Sequence, residues 1–566
     1  MTESRISRAE GWAVLVFGVA ASTAAVVWSW NHGAMLNYGD AIAHLHIARR
    51  VFDSRAPRFT QLGSVWLPLP HILLIPFVQN YEWWATGLAG IIPSALAYLA
   101  SCFGLYRLAR HWLTPAASAV ALAFFALNPN LLYLQTTAMT EPLFLCEMIW
   151  IVAWLVEWRL RLDDDPQKAG RLQLYIAAAL VAAIFTRYDG WVIALLAWSG
   201  TGLALLRRAL HGERGRLSLV AFWLPGIAVL AAPICWFIYN AVGFGDWLYF
   251  ARGPFSAKAI ELRTATISPG WPLHPGWHNP WVALLYYLKV SELDFTAPTW
   301  GNLLLAFAAL GTAIAWFTHK PASSRRAFAW LLLPWLPVPF YAWSVAYGSV
   351  PIFFPAWWPY TWYNTRYGLE LLPALALGLG FAAQLILDAL GRLRLGLRAS
   401  HSAGQILPGA AFAALFALAF LNAAALLREK PLVYVESTKN LHARLPYDDA
   451  IPPFLKRLLA IDPHATVLMD TSAYPEIVSL TGIPLRQTIN ESDLGIFRAA
   501  LAAPAAHAAV IVAFDGDDID RAVKARSQNL NVVARFTAAG QPSATVYLSS
   551  AWTDGSPSGM KQPPSK

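Results

Sequence analysis

"GWAVLVFGVAASTAAVVWSWNHGAMLNYGDAIAHLHIARR", residues 11–50, decides how the rest of the chain is read. Its first twenty residues are apolar, long enough to cross a hydrocarbon core of about 30 Å. A signal peptide is the competing reading of an apolar run behind "MTESRISRAE". This run is longer than a typical signal core, and no small-residue cleavage site follows it, so a retained transmembrane helix is predicted. Directly beyond it, "NYGDAIAHLHIARR" at 37–50 holds a carboxylate, two histidines and two arginines. The sequence thus sets ionisable chemistry at the edge of a membrane.

The composition extends that reading to most of the chain. Of 566 residues, 57% are hydrophobic and 13% charged, against roughly 25% charged in a soluble domain. Apolar runs predict about eleven transmembrane helices near 11–30, 84–106, 114–132, 139–158, 172–186, 190–206, 218–240, 297–317, 327–347, 367–390 and 405–427. The net charge of +9 reads as a topology signal, without nucleic acid as a partner. Arg107/Arg110, Arg159/Arg161/Lys168/Arg171, Arg207/Arg208/Arg214/Arg216, Lys320/Arg325/Arg326 and Arg392/Arg394/Arg398 fall in alternate loops, on the side of Arg5 and Arg8. The positive-inside rule makes that side cytoplasmic. A multi-pass protein of the bacterial plasma membrane is expected, its N-terminus cytoplasmic and its C-terminus outside.

The opposite loops, 31–83, 241–296 and 348–366, are long, aromatic and rich in Pro and Gly. The first carries Arg49, Arg50, Arg55 and Arg58 against the charge trend, which points to a local use such as anion binding. "WLPLPHILLIPFV" at 66–78 is too short and Pro-broken to span, so an interfacial or re-entrant segment is expected. Residues 1–428 form the membrane part. Beyond them, "ATVLMD", "AAVIVAF", "NVVARFT" and "ATVYLS" alternate with helical stretches, predicting a small soluble α/β domain over 435–550 and a disordered tail over 551–566. Cys102, Cys146 and Cys235 lie in predicted spans and read as small apolar filler, with no disulfide.

Four motifs carry candidate chemistry. Asp40 opens "GDAIAHLHIARR", with His44 one helical turn on. A carboxylate partly desolvated by lipid suits a general base; a helix N-cap is the structural alternative. Glu141 begins a span before Pro142, where an acid also suits the helix dipole. Glu147 lies inside that span, where a partner is required. "FTRYDGW" sets Arg187 and Asp189 between two spans, although Asp-Gly alone would make the turn. "TWYNTRYGLELLP" opens a late span with Arg366, flanked by Tyr363, Asn364 and Tyr367; interfacial snorkelling is its alternative. Asp40, His44, Glu141, Arg187, Asp189 and Arg366 all map to the outer ends of spans. The acidic runs at 163–165 and 515–520 read as a solvated loop and as a turn with a helix cap, and no metal-ligand spacing is apparent.

In the order of these motifs and in topology, residues 10–390 resemble the integral-membrane class C glycosyltransferases, of the protein O-mannosyltransferase and aminoarabinose-lipid A transferase type. The carriers are "GDAIAHLHIARR", "NPNLLYLQTTAMTEP", "TRYDGW" and "NTRYGLELLP". The resemblance implies a polyprenyl-phosphate sugar as donor, a hexosyl or pentosyl transfer to a lipid, glycan or protein acceptor, and Asp40 as catalytic base. The chain departs from the family in two places. Ala41 follows Asp40 where relatives have a second acid, leaving Glu141 as a substitute. "WLPLPH" replaces a Lys-Pro-Pro, with His71 as a stand-in.

The expected reaction is a single inverting displacement at the outer face without a metal or other cofactor. Arg366, Arg187 and Arg49, with Tyr367 and His71, would meet the donor phosphate. Asp189, Tyr363 and Asn364 would contact substrate. Asp40 would deprotonate the acceptor hydroxyl, with His44 orienting it. The aromatic loops fit both sugar stacking and an interfacial belt. A lipid or sugar transporter and an O-antigen-polymerase-like enzyme are the alternatives from other classes. A transporter would set its ionisable residues near the midplane.

Overall fold

The computed structural model describes residues 6–210, 216–267, 273–318, 322–396 and 401–550. Arg5, Arg214, Lys320, Arg398 and the tail expected at 551–566 lie outside the described residues, as do the side chains of Arg216 and Arg394. The chain is polytopic and α-helical, with a small C-terminal sheet. Among the described residues nine helices are long and apolar enough to span, from Arg8–Asn31 to the run Leu407–Leu459. Two of the eleven expected spans are built differently. Pro115–Ala126 has 12 residues and breaks at Asn128, which caps the short helix Pro129–Leu134. Glu141–Arg161 has 21 residues but carries Glu141, Glu147, Glu157, Arg159 and Arg161, so charge rather than length sets it apart.

The fold divides into two compact units. The first comprises Met1–Met35, Ser64–Leu73 and Gly90–Ser437; the second comprises Leu36–Gly63, Leu74–Ala89 and Thr438–Lys566.

In the first unit, ion pairs gather one set of helix ends. Arg110 at the close of Leu88–Ala109 meets Glu10 in the first turn of Arg8–Asn31, at 3.3 Å. Arg107 donates to Glu157 near the end of Glu141–Arg161, at 2.8 Å. Arg208 at the end of Asp189–Leu210 reaches Asp163 at 2.6 Å. Arg107, Arg110 and Arg208, from two of the basic ends picked out by the charge pattern, therefore share one side of this unit. Elsewhere helices approach backbone to backbone: a Cβ on Gly378 would fall 2.2 Å from the Ala308 carbonyl oxygen. Small residues permit such contact, which supplies packing energy where lipid offers no hydrophobic drive between helices.

The second unit holds the helix Gly39–Arg50 and a five-stranded sheet in the order β2–β1–β3–β5–β4. The strands are β1 Val467–Met469, β2 Thr488–Ile489, β3 Val510–Phe514, β4 Leu530–Phe536 and β5 Ala544–Ser549. β1 pairs in parallel with β2 and β3, and β5 runs antiparallel to β3 and β4. The four apolar runs of the sequence are β1, β3, β4 and β5. β2, two residues long, carries too little pattern to read. β3 is buried at every position, whereas β4 at the edge is not. A core of Leu468, Ile489, Ile511, Ala513, Phe497 and Ile519 packs helices on this sheet. The sheet is preceded by the helix Leu432–Leu459, in which Pro446, Pro452 and Pro453 interrupt the helical pattern of the sequence.

Candidate functional site

At the other helix ends of the first unit the motif residues meet. The helix Pro166–Thr186 stops at Arg187, and Asp189 begins the next one. Gly190 is required in this turn, because a Cβ there would lie 2.2 Å from the Ala183 carbonyl oxygen. The close turn aims Arg187 at three carboxylates: Nη2 to Glu370 at 2.8 Å, Nη1 to Glu141 at 3.3 Å and Nε to Asp189 at 3.4 Å. Nη2 also donates to the Tyr341 hydroxyl at 2.8 Å, and that hydroxyl donates to Glu370 at 2.6 Å. Arg366 sits in the 3₁₀ turn Thr365–Leu371 and donates through Nε to the same Glu141 oxygen, at 3.0 Å. Its Nη1 lies 3.5 Å from Glu436.

Glu436 fixes this turn. It accepts from the backbone N–H groups of Asn364 and Thr365 at 2.9 and 2.8 Å and from the Thr365 hydroxyl. Asn364 is left-handed at φ 54° and donates its side chain to the Pro351 carbonyl. The Tyr367 ring lies under both guanidinium groups, 5.0 Å from Arg187 and 5.1 Å from Arg366, and stacks on Tyr341. Glu141, Asp189, Glu370, Glu436 and Arg366 are all buried. Asp294 is buried too, and burial beside Glu436 holds its carboxyl well above the usual range. Glu147, expected to need a partner, accepts from the Thr186 hydroxyl at 2.7 Å.

Glu370, Glu436 and Tyr341 are the members of this cluster that sequence reasoning missed. Glu370 alone had a signal: it is an acid inside the apolar run 367–390, where a partner is required. Tyr363 pairs its backbone with Phe353 and keeps its ring exposed. His71 is buried on the helix Leu69–Val78, near Trp66. The Tyr188 hydroxyl, next to Arg187, donates to the Val65 carbonyl, four residues before that helix begins, at 2.8 Å.

The second unit holds Asp40, His44 and Arg49 on one helix. Tyr38 rather than Asp40 is the N-cap, so the capping alternative does not hold. Asp40 lies in the first turn, half-buried, where the helix dipole favours a carboxylate. His44 is buried one turn on. Arg49 closes the same helix. It donates to Asp53 at 2.8 Å and to the Val78 carbonyl at 2.8 Å, and it packs 4.6 Å over Trp84. Arg50 donates to the Gln61 carbonyl and Arg55 to Thr466. Three of the four arginines that ran against the charge trend, Arg49, Arg50 and Arg55, thus have structural partners. Among the described residues no group of three or more His, Cys, Asp or Glu is disposed to hold a metal ion.

No protein-family model and no curated protein matches this sequence. Its fold does match solved structures. ArnT from Cupriavidus metallidurans bound to undecaprenyl phosphate is 16% identical, with a TM-score of 0.51 over 95% of this chain and 98% of that one. The apo state of the same protein gives the same values. The oligosaccharyltransferase AglB from Archaeoglobus fulgidus, in complex with an inhibitory peptide and a dolichol-phosphate, is 12% identical at a TM-score of 0.46, over 96% of this chain and 75% of that one. The chain has the fold of the integral-membrane class C glycosyltransferases.

Proposed function

We propose that this protein is a membrane glycosyltransferase that moves a sugar from a polyprenyl-phosphate donor to an acceptor hydroxyl on the extracytoplasmic side. The observation that carries the reading is the end-to-end likeness of fold to ArnT, whose solved structure holds undecaprenyl phosphate. Fold alone does not assign chemistry, so the roles rest on the residues of each unit.

In the second unit, Asp40 is the general base. The acceptor oxygen forms its bond to the anomeric carbon while the bond from that carbon to the phosphate oxygen breaks. The hydroxyl proton passes to Asp40, and polyprenyl phosphate leaves with the electron pair. One displacement inverts the anomeric centre. His44 orients the base. In the first unit, Arg366 serves the departing phosphate, where a rigid guanidinium stabilises growing charge without reorganising. Arg187 has partners at all three nitrogens, so it organises the cluster instead of meeting phosphate. Glu141, shared by both arginines, acts as their counter-ion and not as a second catalytic acid. Tyr367 supports both guanidinium planes from below, and Asp189 and Asn364 hold the turns that present them.

The test follows release of polyprenyl phosphate from a panel of undecaprenyl-phosphate-linked hexoses and pentoses, with an envelope extract as acceptor. Asp40→Asn is expected to lower turnover by about 10²–10⁴-fold, the usual scale for loss of a general base, and to leave the protein folded. Near-normal release by the variant removes Asp40 from the role. No release by the wild type from any donor favours transport or oligosaccharide polymerisation.

A further inference from the structure

We propose that Arg444 is a positioning residue for this reaction, and that the C-terminal domain exists in part to hold the helix carrying Asp40. The inference rests on the reading of Asp40 as base. Arg444 belongs to the helix Leu432–Leu459, and its side chain is 6% exposed. Its Nη1 donates to the Asn37 carbonyl at 3.0 Å and its Nη2 to the Leu36 carbonyl at 2.9 Å. The same Nη2 reaches Glu476 at 2.9 Å, and Nε faces Asp448 at 3.4 Å. A Cβ on Gly39 would lie 3.7 Å from Nη1. One buried guanidinium therefore ties two carbonyls just ahead of the helix Gly39–Arg50 to two carboxylates of the C-terminal region. Asp40 is the next residue after Gly39.

The far end of that helix is tied as well. Asp53, three residues past Arg50, accepts from Arg49 within its own segment and from Arg486 at 3.2 Å. Arg55 donates to the Thr466 hydroxyl at 2.6 Å and the Gln487 carbonyl at 3.3 Å. The Tyr81 hydroxyl donates to the Ser479 carbonyl at 3.1 Å. Residues 438–550 thus hold the helix at both ends, with Arg444 at the end bearing the base. Displacing a catalytic group by 1 Å costs up to about 10²-fold in rate, so this clasp has catalytic consequences although it touches no substrate.

Arg444→Lys is the discriminating variant. It keeps a cation for Glu476 and Asp448, but an ammonium lacks the planar fork that serves two carbonyls and a carboxylate together. In the full chain, in lipid, we expect faster hydrogen exchange at the amides of residues 37–44 and unchanged exchange in the strands Val467–Met469 and Val510–Phe514. With a donor from which the wild type releases polyprenyl phosphate, turnover at saturation should fall by about 10- to 100-fold, with KM within about threefold. Asp40→Asn should lose turnover with wild-type exchange. Unchanged protection of 37–44 in Arg444→Lys overturns the proposal, as does faster exchange with wild-type turnover. If the wild type turns over no donor, the enzymatic reading fails on its own, and the exchange arm still decides whether Arg444 holds the helix.

Discussion

At the scale of single residues, the cluster around Arg187 is a problem of charge. Glu141, Asp189, Glu370 and Glu436 face two guanidinium groups, and all four acids are buried. Removing one partner of a buried pair leaves the other uncompensated and costs about 3–5 kcal/mol. Glu141 is the sharpest case, because one of its oxygens serves both arginines. Glu141→Ala is therefore expected to destabilise by about that amount, and Glu141→Gln by less, because an amide oxygen still accepts. Thermal unfolding in detergent checks this; equal, small losses would show that Glu141 is not the shared counter-ion. The sequence marked Glu141, Arg187, Asp189 and Arg366 because each is an ionisable group with no place in an apolar run. Tyr341 gave no such mark, since an aromatic in a span is ordinary. Glu436 gave none either, sitting in a polar stretch after the last span. Their roles come from contacts over long sequence separations, which local pattern does not encode.

At the scale of elements, the helix Gly39–Arg50 and the C-terminal sheet share one unit, and each brings a titration of opposite sign. His46 on that helix is buried against Trp84, and burial with Arg50 and Arg49 nearby lowers it to about 3. The folded state then refuses a proton that the unfolded chain accepts below about 6.5, so His46 contributes stability that is lost as pH falls from about 6.5 toward 3. Glu491 behaves in the reverse way. Burial and Asp470 raise it to about 7, against hydrogen bonds from Thr471 that lower it. Folding favours its protonated form, so its contribution is present at low pH and is lost as pH rises from about 4.5 to 7. His46→Phe should remove the acid-side loss and flatten the profile below pH 6.5. Glu491→Gln should remove the fall between pH 5 and 7. Unfolding midpoints at pH 5, 6 and 7.5 check both; parallel profiles for wild type and variants would overturn the assignment. Elements were legible where period and length agreed, as in the strand Val510–Phe514. They were not where prolines masked a helix, as at 446, 452 and 453, or where a strand has two residues.

At the scale of the whole molecule, the question is which side the paired helix ends face. Arg8, Arg107, Arg110, Arg159, Arg207 and Arg208 lie at span ends that ion pairs gather on one side of the first unit. An excess of Lys and Arg near span ends sets orientation, with acids contributing little. The pairs from Arg107 to Glu157 and from Arg208 to Asp163 therefore do not cancel the signal. The exception is the loop 31–83, whose Arg49, Arg50, Arg55 and Arg58 would argue for the opposite sense. In the folded protein three of them are committed within the second unit: Arg49 to Asp53, Arg50 to the Gln61 carbonyl and Arg55 to Thr466. Their presence is thus explained by the second unit's own structure, and the count over the remaining loops stands. The expected outcome is an outward C-terminal domain. A reporter that folds only outside the cytoplasm should be active when fused after residue 550, and a cytoplasm-only fluorescent reporter should be dark there. Fusions after Arg110 should give the reverse. A fluorescent fusion at 550 would invert the topology and put the Asp40 helix in the cytoplasm, where an outward-facing transfer to an envelope acceptor has no place. Replacing Arg107 and Arg110 by Gln should weaken the bias without abolishing it, because the loops after Arg161 and Arg208 carry the same sign.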